Sequence, residues 1–487
     1  MNSNFAPIDW AIFVFYLAIL AFSSYIFARS KISSTREYFT SSNSISSLAA
    51  AISIVATTQS AATFLGVPEF AYKNNFTLIG FYFSSLIAVF FVAYVFVPKF
   101  YAIKASTVYE LLENRYGEGA KKQAGMMFLL GRVLASGARL YIAALAVSMI
   151  LFLDISLWHM IISISLLLFG ALIYTYFGGV RSVIYSDIIQ TIVYVSAGVV
   201  VLYYLYSSLN MTDIYATLDG LGKLQMIETA IDGKFGIFGL LGGWLLLNIA
   251  AFGLDQDMSQ RVLSCKNKQD AQKSLIFSIL FTIPIVFLFL SIGALLFLHY
   301  QNNGIVQSFG EEKITIFMYY ILNEMPEGLK GFVTVGAIAA ALSSTNSVLG
   351  AMSSVATLDL YKPYRLAHKP DTDESHFLKA SRVAVLGFAL SLFTMAIVSY
   401  FWQRYLEVSL IAFALGVMAF AYTGLLGIYF AAIFTKRGNA ATVPIAFAGG
   451  FFSVLFMQLL TSIGYDWQIV CGTLVAFLIM ITGKEHG

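Results

Sequence analysis

Three stretches of this chain put oxygen and charge where apolar side chains are the rule. The first, SSLAAAISIVATTQSAATFLGVPEFAY, packs Thr57, Thr58, Gln59, Ser60 and Thr63 into the middle of an apolar run, with Pro68 beyond. Hydroxyls and an amide compete for the backbone, so the run is expected to break. A break at membrane depth frees carbonyls, and these survive only beside a cavity or an ion site. The second stretch, GFVTVGAIAAALSSTNSVLGAMSSVATLDLY, sets Ser343 and Ser344 one turn before Ser347. Oxygens without a carboxylate suit a small monovalent cation, because hard cations take oxygen ligands and one charge needs little anionic compensation. The third, LGRVLASGARLY, spaces Arg132, Ala135, Ser136 and Arg139 so that both arginines share a helix face. A guanidinium there either grips a carboxylate-bearing solute or closes an internal ion pair, with Asp187 as partner, that holds helices in register. For Arg132, snorkelling to the interface is a third reading. Tight packing through small residues accounts for the Ala and Ser of these runs, but not for Gln59 beside two threonines.

The composition says in which solvent these residues must meet. Of 487 residues, 59% are apolar and 11% charged, with a mean hydropathy of +0.79. A soluble domain runs about 45–50% apolar and about 25% charged. A soluble enzyme, a disordered protein and a disulfide scaffold are thereby excluded, and Cys265 and Cys471 support no framework. The net charge of +3 is too small and too dispersed for nucleic acid. No buried histidine cluster or paired acids supply a membrane-embedded enzyme with a metal or nucleophile set. A channel needs a continuous polar lining, whereas the polar positions here cluster at one depth.

Runs of about 20 apolar residues, enough to cross a bilayer, fall at 8–28, 47–72, 77–102, 123–152, 157–177, 181–208, 236–262, 272–299, 327–357, 377–401, 406–434, 441–462 and 467–482. They are continuously apolar, which rules out a β-barrel. The reading is an all-α polytopic membrane protein of 13 transmembrane helices in one domain, 1–487. The first run lacks the basic start of a signal peptide and is read as a retained helix. With the N-terminus outside and the C-terminus cytoplasmic, most Lys and Arg fall on the cytoplasmic side, among them Arg29, Lys31, Lys99, Lys104, Arg261 and Lys266. Lys73, Lys223, Lys234, Lys313, Lys330 and Arg404 fall outside. Compact connections favour a bacterial inner membrane. The seventh run also looks breakable, at Gly242, Gly243 and Asn248. Breaks in the second and seventh runs are five positions apart, the signature of two inverted five-helix repeats with a site between their first helices. These are 47–208 and 236–434, with an extra helix at 8–28 and two more over 441–482.

The stretches ATTQSAATFLGVPEFAY (56–72), YTYFGGVRSVIYSDIIQ (174–190), LDQDMSQRVLSCKNKQDAQKS (254–274) and AAALSSTNS (339–347) resemble the sodium:solute symporter family over nearly the whole chain. Its members include bacterial proline and sialic-acid transporters and animal glucose transporters. The resemblance implies a LeuT-like 5+5 core and sodium-driven import of a small polar solute by alternating access. It also implies a sodium site built from backbone carbonyls of Ala56, Gln59 and Ala340 and hydroxyls of Ser343 and Ser344. Gln59 stands where relatives carry an aliphatic residue, so its side chain is expected to face the substrate cavity. A second sodium is implied at Asp187, Asn346 and Ser347, although Asn346 replaces a serine. The implied solute pocket comprises Thr58, Ser60, Thr63, Phe81, Tyr82, Arg132, Arg139, Asn248 and Phe252. Its thin polar lining favours an amino acid, monocarboxylate or other organic anion over a sugar. Sodium, the solute and the bilayer are the expected partners, and a monomer suffices. Proton coupling through Asp187, or a solute-sensing receptor of the same fold, are the competing readings.

Overall fold

A computed structural model describes residues 5–28, 32–209, 213–228, 235–302, 315–405, 410–461 and 463–484. Arg29, Lys31, Lys234 and Lys313 lie outside the described residues. Regular structure among them is helical. Helix α1 spans Pro7–Ala28. The second run is two helices, α2 (Ser47–Thr58) and α3 (Ala61–Lys73), which meet at 61°. Helix α4 (Ile79–Phe91) continues through a wider turn at Val92–Phe96 into Val97–Ala102. Pro98 explains that turn, since it has no N–H for the carbonyl four residues back.

Helix α5 covers Glu118–Phe152 and α6 covers Leu157–Ser208. The expected runs 157–177 and 181–208 thus form one element of 52 residues. Such a helix, kept straight, would be about 78 Å long at about 1.5 Å per residue, against a hydrocarbon core of about 30 Å. It is interrupted at Gly179, whose φ of 57° and ψ of −158° belong to glycine alone.

The seventh run divides into Ile237–Leu241, α7 (Gly243–Gly253) and α8 (Gln256–Leu263). Gly242 does turn the chain, but the 51° bend falls later, at Leu254 and Asp255, and Asn248 sits inside an unbroken helix. Asp255 supplies the reason: its carboxylate accepts the Asp257 amide (3.0 Å) and so starts α8 as a cap. Then follow α9 (Lys268–Asn302), α10 (Leu329–Ser354), α11 (Glu374–Tyr405), α12 (Leu410–Phe434), α13 (Thr442–Leu460) and α14 (Tyr465–Thr482). Among the described residues eight helices are long and apolar enough to cross a membrane, or ten when each bent pair counts as one span.

Helix α10 runs through the centre, buried along nearly its whole length and packed lengthwise on α6. Its Gly, Ala and Ser residues allow that approach. Helices α2 and α3 lie against α9, while α13 and α14 pack on α12. Helix α1 sits on α6 and α10 and is pinned at one end by Asp9. That buried carboxylate accepts the amides of Gly328 (2.8 Å) and Gly331 (2.7 Å) at the start of α10.

Gly179 cannot carry a side chain. A Cβ there would stand 2.5 Å from the Tyr38 carbonyl oxygen, whereas one on Gly66, inside α3, meets nothing within 4 Å. Gly179→Ala should therefore cost about 1–3 kcal/mol and lower the midpoint of thermal unfolding in detergent, while Gly66→Ala leaves it unchanged. Equal midpoints for the two variants would contradict the break.

Candidate functional site

The α2–α3 break releases two particular carbonyls. In a continuous helix the Ser60 amide would bond Ala56 and the Thr63 amide would bond Gln59. Here the Ser60 amide donates to Thr63 Oγ1 (3.3 Å), and the Thr63 amide donates to the Ser60 carbonyl (2.9 Å). Ala56 and Gln59 line a small cavity with Ala340 and Ser343 of α10 and Gln190 and Tyr194 of α6. The Gln59 side chain turns into this chamber, its Oε1 accepting from the Tyr194 hydroxyl (3.2 Å), rather than toward the larger cavity as expected. Ser343 Oγ donates to Asp187 Oδ1 (2.7 Å). Ser344 Oγ bonds back to the carbonyls of Ala340 (3.3 Å) and Ala341 (3.1 Å) and faces the neighbouring cavity.

That neighbouring cavity is narrow and lies where α2, α5, α8, α10 and α11 converge. Ser60, Arg132, Arg139 and Ser344 line it, joined by Thr57, Ser136 and Asp257. The other expected pocket residues stand away from it. Thr58 Oγ1 bonds back to the Val55 carbonyl (2.8 Å), and Thr63 is occupied as the partner of Ser60. Phe81 stacks edge-on against Tyr82 (5.4 Å) and Trp244 (5.5 Å), with the Asn248 amide near the Phe81 carbonyl (3.5 Å). Phe252 is buried in the apolar core.

Charge in this region is paired differently from the expectation. Arg132 binds Asp255, not Asp187: its Nη2 pairs with Oδ2, its Nε donates to Oδ1 (3.2 Å), and Asp257 stands 3.6 Å away. The Tyr422 hydroxyl of α12 donates to Asp255 Oδ2, the oxygen that Arg132 Nη2 also meets. Asp187 instead faces Arg261 (3.5 Å) and accepts from Ser53 Oγ (2.5 Å). Arg261, expected in a cytoplasmic connection, is 1% exposed and also pairs with Asp257 (3.3 Å). The i, i+4 spacing of Asp257 and Arg261 was the signal for this pair. Arg139 differs from both. Its Nη2 reaches the Met418 sulfur (3.3 Å), a weak acceptor, and among the described residues it forms no ion pair.

The second expected ion set is divided. Asn346 and Ser347 line a further cavity together with Arg261 and Gln260, and among the described residues both ends of the Asn346 side-chain amide lack a partner. Asp187 meets α10 one turn away, through Ser343.

The sequence pattern of the sodium:solute symporter family matches residues 38–463. The chain belongs to this family. It is therefore a sodium-coupled solute symporter rather than an enzyme. It is 26% identical over 485 residues to the sodium/sialic acid symporter NanT of Aliivibrio fischeri, covering 96% of this chain and 91% of that one. It is 27% identical to the sodium/sialic acid symporter SiaT of Proteus mirabilis, covering 97% and 93%. The sodium/glucose cotransporter of Vibrio parahaemolyticus is 26% identical, over 78% of this chain and 73% of its own. The fold is similar to a substrate-bound, outward-open sodium-coupled sialic acid symporter, with a TM-score of 0.86 at 23% identity over 99% of this chain and 100% of that one. Mhp1, a nucleobase-cation symporter, matches with a TM-score of 0.56 at 14% identity over 91% and 93%. The symporter fold here is thus LeuT-like.

The Arg132–Asp255 pair holds α5 to the α7–α8 bend. Removing one partner should cost about 3–5 kcal/mol, because the other charge stays buried, whereas removing both restores much of the loss. Arg132→Met and Asp255→Leu should each lower the unfolding midpoint of the purified symporter more than the double variant does. Additive losses would show that the two residues are not coupled.

Proposed function

We propose that this symporter couples one sodium ion to the import of a small organic anion. The observation carrying the anion reading is Arg139, an arginine that among the described residues has no carboxylate partner, on the wall of a buried cavity that also holds Ser344. A guanidinium at this depth is costly unless an anion meets it, and a solute carboxylate can bind it through two parallel hydrogen bonds. Arg132, already paired with Asp255, adds shape to the cavity rather than free charge. The relatives named for sialic acid and the mouse sodium-coupled monocarboxylate transporter 2, 24% identical over 74% of this chain, support a carboxylate cargo. Ser60 and Ser136 supply hydroxyls to the rest of the solute. Thr58, Thr63, Phe81, Tyr82, Asn248 and Phe252, expected in the same pocket, stand outside this cavity and are assigned no contact with the solute.

Sodium is assigned to the carbonyls of Ala56, Gln59 and Ala340 and the hydroxyls of Ser343 and Ser344, with Ser344 reaching the ion once its hydroxyl turns from the neighbouring cavity. The released carbonyls of the α2 break support this. A second sodium at Asp187, Asn346 and Ser347 is disfavoured, because the Arg261 guanidinium already stands beside both Asp187 and the Asn346 cavity. The spans are counted as thirteen, with α6 read as two and the N-terminus outside. Residues 47–208 and 236–434 form the two repeats, flanked by 8–28 and 441–482, in a cell membrane with a monomer as the working unit. One sodium carried with one monoanionic solute moves no net charge, so the sodium concentration gradient rather than the membrane potential drives uptake. Sodium that ties α2 to α10 favours the arrangement in which the solute pocket is complete, and this coupling is reciprocal.

Two variants separate the halves of the proposal. Ser344→Ala should abolish sodium-dependent uptake in proteoliposomes at normal expression. Arg139→Gln should lower uptake of carboxylate solutes by about a hundredfold, while sodium still raises the unfolding midpoint. A screen of solutes with and without sodium should find carboxylates stabilising, and more so with the ion. Stabilisation by neutral sugars alone would overturn the anion reading.

A further inference from the structure

A hollow of about 800 Å³ lies away from the ion and solute chambers, between the last turns of α6 and the helix α9. Sites that enclose small ligands run from about 300 to about 1,000 Å³. Val199 and Leu202 of α6 and Phe287 and Leu295 of α9 form its walls. The short helix Ile214–Gly220 and the residues after it complete the lining, through Leu218 and Leu224. Val199, Tyr203 and Tyr206 are each more than half exposed, so the hollow opens on the outside of the helix bundle. In a membrane protein that outside is filled by acyl chains.

The chemistry changes toward the loop. Tyr203, Tyr206 and Tyr215 line that end, and tyrosines at the end of a span sit at headgroup level. Asp213 and Asp219 line it too, both exposed, and among the described residues neither forms an ion pair. Asp213 Oδ1 accepts the Ala216 amide (2.9 Å), which leaves its other oxygen for a partner. An apolar groove thus ends in two carboxylates.

We propose that this groove holds one phosphatidylethanolamine of the surrounding bilayer, an acyl chain between α6 and α9 and the ammonium on Asp213 and Asp219. A primary ammonium brings a positive charge and three N–H donors, the complement of two acids. Choline has the charge but no N–H, and a glycerol headgroup has hydroxyls but no positive charge. A second copy of this chain is a poorer occupant. A two-fold contact sets a patch against itself, so the acids of one copy would meet those of the other. The site also reaches the broken helix. Lys223 Nζ donates to the carbonyls of Tyr72 (2.6 Å) and Asn74 (2.9 Å) at the end of α3, and the Phe76 amide donates to the Gln225 carbonyl (3.0 Å). Phe76 itself lines the groove. A lipid seated there steadies the loop and, through it, the end of α3.

The test counts the lipid that stays with the protein. The symporter is reconstituted in phosphatidylglycerol mixed with phosphatidylethanolamine or phosphatidylcholine, released into detergent and weighed by native mass spectrometry. The parent should retain one phosphatidylethanolamine per chain, preferred about tenfold over the other two lipids, as two exposed ion pairs allow. Asp213→Asn combined with Asp219→Asn keeps the cap on Ala216 and should lose that preference. Val199→Trp fills the groove and should lose the lipid. Phosphatidylethanolamine should raise the unfolding midpoint of the parent and not that of Val199→Trp. Should Val199→Trp not fold, the exposed aspartate pair carries the test alone. Equal retention of the three headgroups overturns the proposal, as does a preference that survives in the aspartate double variant. A parent dimer that Val199→Trp dissolves also overturns it and makes the groove a contact between copies.

Discussion

A chain that breaks a helix inside a membrane must give the freed backbone groups something to bind. The whole arrangement around Gln59 and Ser60 answers that requirement. Ser60 and Thr63 satisfy each other's ends of the break, which leaves the carbonyls of Ala56 and Gln59 without those amides, on residues that line a chamber. Helix α10 can approach that chamber because its residues there are alanines and serines, and α6 follows because α10 packs along it. The two hydroxyls of the Ser343–Ser344 pair then look into different cavities. One residue step on a helix turns a side chain by about 100°, so adjacent serines join the ion chamber to the solute cavity through a single turn of backbone.

Charge obeys a similar economy. Arg132, Arg139 and Arg261 are matched in number by Asp187, Asp255 and Asp257, yet the pairing is uneven. Asp257 is shared between two arginines, and among the described residues Arg139 meets only a sulfur. A monovalent cation and a monoanionic solute entering together preserve the balance of the interior, whereas either alone upsets it. In a medium of low effective dielectric such an imbalance is expensive, which gives co-binding a basis beyond direct contact between the two ligands.

Much of the fold was legible because hydrophobic length and interruption are local properties. The hydroxyl-rich centre of the second run marked a true bend. The seventh run shows the limit: Gly242, Gly243 and Asn248 drew attention, while the sharp bend came from Asp255, whose capping role depends on Arg132 and Tyr422 from distant helices. Arg261 looked like a cytoplasmic charge because it follows an apolar run, and only packing reveals that it is buried. Thr57, not Thr58, lines the cavity, a rotation that sequence spacing cannot fix without knowing where the helix ends.

The clamp at Asp9 has a mechanical meaning. Its carboxylate takes two amides from the start of α10, so α1 is fastened to the helix that carries both serines. The outer face of α1 is broad and greasy, with Phe15, Phe22 and Tyr25 largely uncovered. Whenever α10 shifts, α1 must plough that face through the surrounding lipid, so the viscosity and lateral pressure of the host bilayer become a brake on the transport cycle.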